Sequence, residues 1–217
     1  MRTTDVIDGR IPLSRRRIEQ YCPRMTTEGQ ATLDARTIVL VEGVSDQLAV
    51  ETLAERSGRD LAAERIRVVP MGGATNIGHF LDRFGPAGPH IRLAGLCDEA
   101  EAGVFRRGLE RAGLGSGLTD SEMESKGFFV CAPDLEDELI RALGISAVER
   151  ILEEEGDLTS FRTFQQQPAQ RARSDQARLR RFMGTRGGRK IHYAPLLVQA
   201  LAPASTPRPL QLLLQHI

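Results

Sequence analysis

The stretch Thr37-Ile38-Val39-Leu40-Val41-Glu42-Gly43-Val44-Ser45-Asp46 decides how this chain folds. A run of β-branched and apolar residues stops at a glutamate, turns on Gly43 and restarts as a helix expected from Ser45 to about Ser57. Ser45 is the expected N-cap, with Ala49, Val50, Leu53 and Ala54 as the apolar stripe. A buried strand leading through a tight turn into a helix puts the turn residues at the carboxyl edge of a sheet. Open α/β folds hold their ligands there. Glu42 and Asp46 fall on that edge within reach of one another. Two carboxylates so close repel unless a proton or a hard cation lies between them. The pair is the first indication of a magnesium site.

The pattern repeats outward from this point. Ile66–Pro70 reads as a second strand, followed by Gly72-Gly73 and a helix through Asn76–Phe84 that Gly85-Pro86 and Gly88-Pro89 break. Ile91–Cys97 is a third strand ending at Asp98. A helix with Val104, Phe105 and Leu109 on one face comes next, then a glycine-rich loop at Gly113, Gly115 and Gly117. Gly127–Cys131 is a fourth strand, and Pro133-Asp134 opens a helix with Leu135, Leu139, Ala142 and Leu143 in register. Alternating strands and helices predict an α/β fold with a mostly parallel central sheet covered on both faces. Three units follow: a solvated leader over residues 1–35, an α/β core over 36–145 and a helical, arginine-rich extension over 146–217. Gln165-Gln166-Gln167-Pro168 marks a surface break in the extension, and an amphipathic helix is expected over Leu210–Leu214.

Composition narrows the function classes. Apolar residues make up 41% and charged residues 27%, ordinary values for a globular protein. No run approaches the roughly 18 apolar residues of a membrane span, and the N-terminus lacks an apolar signal core. Three cysteines without Cys-x-x-Cys spacing argue against a disulfide framework. Cys97 and Cys131 end apolar runs and read as buried thiols, so a cytoplasmic location is expected. A net charge of zero announces no basic field. It hides an acidic block from Asp134 to Asp157, followed by a basic one from Arg162 to Lys190. Arg178, Arg181, Arg186 and Arg189 in that block could track a nucleic-acid backbone, or could simply balance the acidic block. Phe161, Phe164, Phe182 and Tyr193 are too few for base stacking to be indicated. The four histidines show no metal spacing.

The remaining acidic residues stand where strands end. Glu42 closes the first strand, Asp98 the third, and Asp134 and Glu136 follow the fourth. Strand ends of a parallel sheet share one edge, so these carboxylates converge in space. Such a cluster suits hard divalent cations. Two ions about 4 Å apart form the clamp used for in-line displacement at phosphate, and Lys190 is placed to support the charge that develops there.

The same residues resemble the toprim domain of the overcoming-lysogenization-defect (OLD) family of nucleases. The resemblance rests on Val41–Asp46, Val69–Ile77, Leu96–Asp98, Asp134–Leu139 and the Gly-Arg-Lys run ending at Lys190, and it covers roughly Thr37 to Leu201. It implies a Rossmann-like toprim fold and a DNA endonuclease dependent on one or two Mg²⁺ or Mn²⁺ ions. Glu42, Asp46, Asp98, Asp134 and Glu136 would be the metal ligands, and Glu42, Asp98 and Lys190 the catalytic residues. The second aspartate of the family's Asp-x-Asp falls on Ala100, leaving Glu101 as the substitute. That departure opens the alternative of a catalytically degenerate module that binds nucleic acid or a partner. Full OLD proteins also carry an ATPase domain. The run Gly184–Lys190 fails the P-loop spacing, so a stand-alone form working with a separate ATPase is expected.

Overall fold

The structure, a computed structural model, describes residues 34–86, 91–186 and 188–217. Almost all of the expected leader, Cys22, the Gly88-Pro89 break and His90 lie outside the described residues. The four expected strands are present as β1 (Thr37–Val41), β2 (Ile66–Pro70), β3 (Arg92–Asp98) and β4 (Phe128–Cys131). They form one sheet in the order β2-β1-β3-β4, every neighbouring pair parallel. The order reverses between β1 and β3: from β1 the chain first builds outward to β2, then returns across β1 to lay down β3 and β4. A crevice opens at such a switch point, outside the carboxyl ends of the two strands.

Alternation along the strands divides the apolar side chains between two cores. Val39, Val41, Ala94, Leu96, Phe129 and Cys131 face one side, together with helix α1 (Val44–Arg56). Ile38, Leu40, Cys97 and Phe128 face the other, with helices α2 (Ile77–Phe84), α3 (Ala102–Arg111) and α4 (Asp120–Ser125). Helix α4 sits in a stretch whose glycines and serines read as loop. Thr119 caps it, accepting from Glu122 N at 3.3 Å while the Glu122 carboxylate reaches back to Thr119 N at 2.8 Å. Met123 then plugs the second core.

After β4 the chain is helical: α5 (Leu135–Leu143), α6 (Ile145–Glu154), α7 (Leu158–Gln165), α8 (Pro168–Arg171), α9 (Asp175–Met183), α10 (Arg189–Ala200) and α11 (Arg208–His216). The first core runs without interruption from the sheet into these helices through Leu152, Phe161, Leu179, Phe182, Leu197 and Leu213. Helix α10 packs against α1, and α11 against β4 and β3. Two arginines of α1 and the turn after it fasten this layer. Arg56 donates to the carbonyls of Val198 and Leu201, and Arg59 to those of Leu214 (2.6 Å) and Ile217 (2.9 Å). These carbonyls close helices α10 and α11, which otherwise end with unpaired acceptors.

The glycines at two places are structurally required. Gly72 and Gly73 have φ of +73° and +122°, and their loop is tied to the end of β1 by Gly73 N to Glu42 O at 3.0 Å. A Cβ at Gly95, in the middle of β3, would stand 2.7 Å from the Phe128 ring and 3.1 Å from Leu40 O. Gly95→Ala is expected to destabilise the fold by about 1–3 kcal/mol, the usual cost of overpacking. The double variant with Phe128→Leu should recover part of that loss, read as the urea midpoint. Additive losses would show that the ring is not what Gly95 accommodates.

Candidate functional site

Helix α1 begins one residue earlier than its sequence suggests. Gly43, not Ser45, is the N-cap, because Asp46 at the third helical position turns its carboxylate back and accepts the Gly43 N–H at 2.9 Å. The glutamate before it points across the crevice. Glu42 Oε1 accepts the backbone N–H of Asp98 at 2.9 Å, joining the end of β1 to the end of β3. Burial holds the Glu42 carboxyl above its ordinary value. The Asp98 hydrogen bond opposes this, Glu101 and Glu136 add to it, and Lys190 offsets it. Glu101 is therefore close enough to act on Glu42, as its proposed role as stand-in for the missing aspartate requires.

The field is strongest at Asp98. Burial, then Glu42, Asp46, Asp134 and Glu136, push its carboxyl up to about 8. Asp46 is pushed up to about 6, chiefly by burial, with the Gly43 hydrogen bond opposing and Glu136 and Glu42 adding. The other four carboxylates expected to converge thus all act on Asp98, while Asp134 is not among the groups that shift Glu42 or Asp46. Among the described residues, however, no three His, Cys, Asp or Glu side chains are drawn together as a metal cage.

Two of the five carry their own counter-charges. Asp134 is 6% exposed. One oxygen accepts Asp137 N at 2.9 Å as the N-cap of α5, and the other accepts Arg180 Nε at 2.5 Å. Glu136, 4% exposed, accepts Lys190 Nζ at 2.8 Å. Burial opposes the Lys190 charge, but Glu136, with Asp134 and Asp98 behind it, raises the group above the ordinary lysine value. Both cations keep about two-fifths of their side-chain surface in solvent, 42% each, so they line the rim of the edge. Arg180 was not singled out from the sequence. Its partner lies 46 residues earlier, and one arginine among many in the basic block carried no signal of its own.

The other arginines singled out divide. Arg189 is buried, stacks 3.8 Å from the centre of the Phe182 ring, donates to Phe182 O and Thr185 Oγ1, and pairs with Asp157. Arg178 donates to Gln170 O, Arg171 O and Asp175. Neither guanidinium is available to a nucleic acid, whereas Arg181 and Arg186 are exposed. The four aromatic residues of this region are buried in the first core. Cys97 and Cys131 are free and buried, and burial raises both thiols far above the reactive range.

Residues 34–98 match the family model for the toprim domain of overcoming-lysogenization-defect-like proteins. Nothing matches among the curated protein sequences. Among solved structures, the C-terminal region of the Xanthomonas campestris pv. campestris OLD protein is similar in two determinations. One is 26% identical with a TM-score of 0.64, covering 84% of this chain and 94% of that one. The other is 25% identical with a TM-score of 0.68, covering 86% and 94%. The C-terminal region of the Burkholderia pseudomallei OLD protein shares the fold, at 24% identity and a TM-score of 0.62 over 84% of this chain and 96% of that one. The resemblance drawn from Glu42, Asp98 and their neighbours is upheld, and the shared fold includes the C-terminal helices. Among the described residues no helix is long and apolar enough to cross a membrane.

The carboxylate edge should make metal-free stability depend on pH. An Asp98 raised from 3.8 to about 8 keeps its proton in the folded state over an interval in which the unfolded chain has lost it. Stability therefore falls as pH rises through that window. Asp46, raised to about 6, contributes in the same direction in the lower half. In EDTA the melting temperature is expected to drop between pH 5 and pH 8. Asp98→Asn should flatten the slope and raise the melting temperature at pH 8. A wild-type slope in the variant would remove Asp98 as the cause.

Proposed function

From the premise that residues 34–98 form an OLD-like toprim domain, we propose that this chain is a divalent-metal-dependent phosphodiesterase that cuts DNA at the β1–β3 crevice. The observation that carries the reading is a set of carboxylates that form no ion pair among the described residues. Glu42, Asp46 and Asp98 are all held above their ordinary values at the switch point, while Asp134 and Glu136 beside them have cations of their own.

The donor set fits a hard cation in kind, since carboxylate oxygens in excess of local positive charge are what Mg²⁺ or Mn²⁺ takes. Glu42, Asp46 and Asp98 would hold it, with Glu101 and Glu136 at its flanks. Asp134 has both oxygens engaged, so one ion is the better fit than the two-ion clamp. When bound, the ion would polarise the phosphate and make water a better nucleophile at neutral pH. The chain's own groups do the positioning. The Asp98 N–H fixes the orientation of the Glu42 carboxylate. Lys190 and Arg180 stand at the solvent rim, where a substrate phosphate can draw them partly off Glu136 and Asp134. Lys190 then meets the charge that develops on the phosphate oxygens.

A second reading has its own observation. Ala100 supplies no ligand atom, and the carboxylates of the described residues are not drawn into a cage. That favours a degenerate module which binds nucleic acid or a partner ATPase without cutting.

Calorimetric titration of Mn²⁺ and Mg²⁺, paired with plasmid nicking, separates the two. The first reading expects binding near one ion per chain that weakens at least tenfold in Glu42→Ala, together with nicking lost at least about 100-fold in Glu42→Ala and Lys190→Ala. A wild type that takes up no metal, with or without DNA, and nicks nothing supports the second. Stoichiometry of two with full activity would restore the clamp.

A further inference from the structure

A second polar cavity lies outside the carboxylate edge, and its chemistry is opposite. It is a cleft of about 440 Å³ between α7 and the loop joining α9 to α10, within the size range of small-molecule sites. Thr159, Ser160, Thr163 and Gln167 enter it from α7 and the turn beyond. Thr159 and Thr163 lie one turn apart on the same face of α7, Ser160 flanks them, and Gln167 follows the end of the helix. Phe164 and Phe182, both buried, form an apolar floor. Thr185, Arg186 and Arg189 close the opposite wall.

No acidic side chain lines the cleft, although the chain as a whole has as many Asp and Glu as Lys and Arg. Arg189 is buried in the wall with its charge partly offset by Asp157, 3.4 Å away and not among the lining residues. Arg186 is exposed at the mouth and forms no ion pair with any described residue. The hydroxyls of Thr163 and Thr185 donate to Thr159 O and Phe182 O. Those of Thr159 and Ser160 and the Gln167 amide make no such bond to the described residues, leaving them as donors toward the cleft. Arg189 is spent on Phe182 O, Thr185 Oγ1 and Asp157 and only shapes the wall, so the exposed Arg186 guanidinium, the neutral donors and an apolar floor without a carboxylate are what the cleft offers a compact anion attached to a flat apolar body.

We propose that this cleft binds a phosphate ester of a nucleotide, with Arg186 and Ser160 on the phosphate and the Phe164–Phe182 floor beneath the base or sugar. Arg189 and Lys190 are consecutive on α10. The first lines this cleft and the second reaches Glu136, so the site lies on the other side of the first turn of α10 from the carboxylate edge. The phosphate comes either from a free nucleotide or from a nucleic-acid strand that also runs past that edge.

The test is calorimetric titration in EDTA with inorganic phosphate, thymidine, thymidine 5′-monophosphate and a thymidylate hexamer, which reads binding without metal or cleavage. Failure of the nuclease reading and failure of this one are thereby separately visible. The monophosphate is expected to bind and thymidine not to. Arg186→Ala should weaken binding about tenfold, as loss of a charged hydrogen bond does, and Thr163→Glu, which plants a carboxylate in the wall, should abolish it. Arg107→Ala, exposed on α3 at the opposite face of the sheet, should leave it unchanged. Competition by inorganic phosphate and the monophosphate would identify a free-nucleotide site; binding of the hexamer alone would identify a strand site. Absence of binding by all four probes overturns the proposal. So do wild-type affinities in Arg186→Ala and Thr163→Glu, or an Arg107→Ala loss as large as that of Arg186→Ala.

Discussion

The hydrogen bond from the Asp98 amide to the Glu42 carboxylate is the constraint on which the edge of this protein depends. The paired register between β1 and β3 ends at Leu40 and Gly95, and beyond it the Asp98 N–H has no strand carbonyl to meet. Glu42 supplies the acceptor and extends the ladder with a side chain. A buried amide must be satisfied, so the charged oxygen is held in the crevice by a requirement of the backbone itself. Once Glu42 is fixed there, Asp98, Asp46, Glu136 and Glu101 lie in its field, and the local excess of negative charge follows from the topology.

Relief of that excess comes from the C-terminal helices, which explains why the shared fold does not end with the sheet. Asp134 meets Arg180, Glu136 meets Lys190, Glu149 meets Arg162, Asp157 meets Arg189, and Glu155 meets His192. Four of these pairs join the acidic block to the basic one, while Asp137 and Glu138 pair with Arg141 inside the acidic block. Helix α10 is held by Asp157, which accepts Tyr193 Oη at 3.1 Å and pairs with Arg189, and by the Arg56 contacts at its far end. Its first turn delivers Lys190 to Glu136. Packing on the first core thus fixes Lys190 against a carboxylate more than fifty residues away in sequence.

Local pattern explains what could be read in advance. The four strands, the helices after them and the clustering of carboxylates at strand ends depend on periodicity and on the parallel connection rule, both visible in one segment at a time. The N-cap at Gly43 was missed because a carboxylate three residues on can cap backwards, so the best capping residue type, Ser45, was not the one used. Helix α4 was missed because its glycine-rich surroundings outweighed a capping box of ordinary strength. Arg180 and the anionic-ligand cleft depend on which faces of α7, α9 and α10 meet, and the arginine block offered many equivalent candidates. Charge balance between the two blocks was readable as an alternative to nucleic-acid contact; which arginines it would claim was not.

The residue that departs most from the expected pattern, Ala100, is best understood through the backbone around it. Two aspartates separated by one residue face the same way only while the chain is extended, where side chains alternate with a period of two. Here β3 ends at Asp98, and Glu99–Glu101 form a 3₁₀ turn with Asp98 as its N-cap. Side chains in a 3₁₀ helix eclipse at a spacing of three. Asp98 is the extended residue before that turn, and the acidic side chains within the turn are Glu99 and Glu101. Ala100 is exposed, while the charge of Glu101 acts on Glu42. Position 100 thus lies in a 3₁₀ turn and not in a strand, so the period-two alternation that an Asp-x-Asp pair relies on does not extend past Asp98.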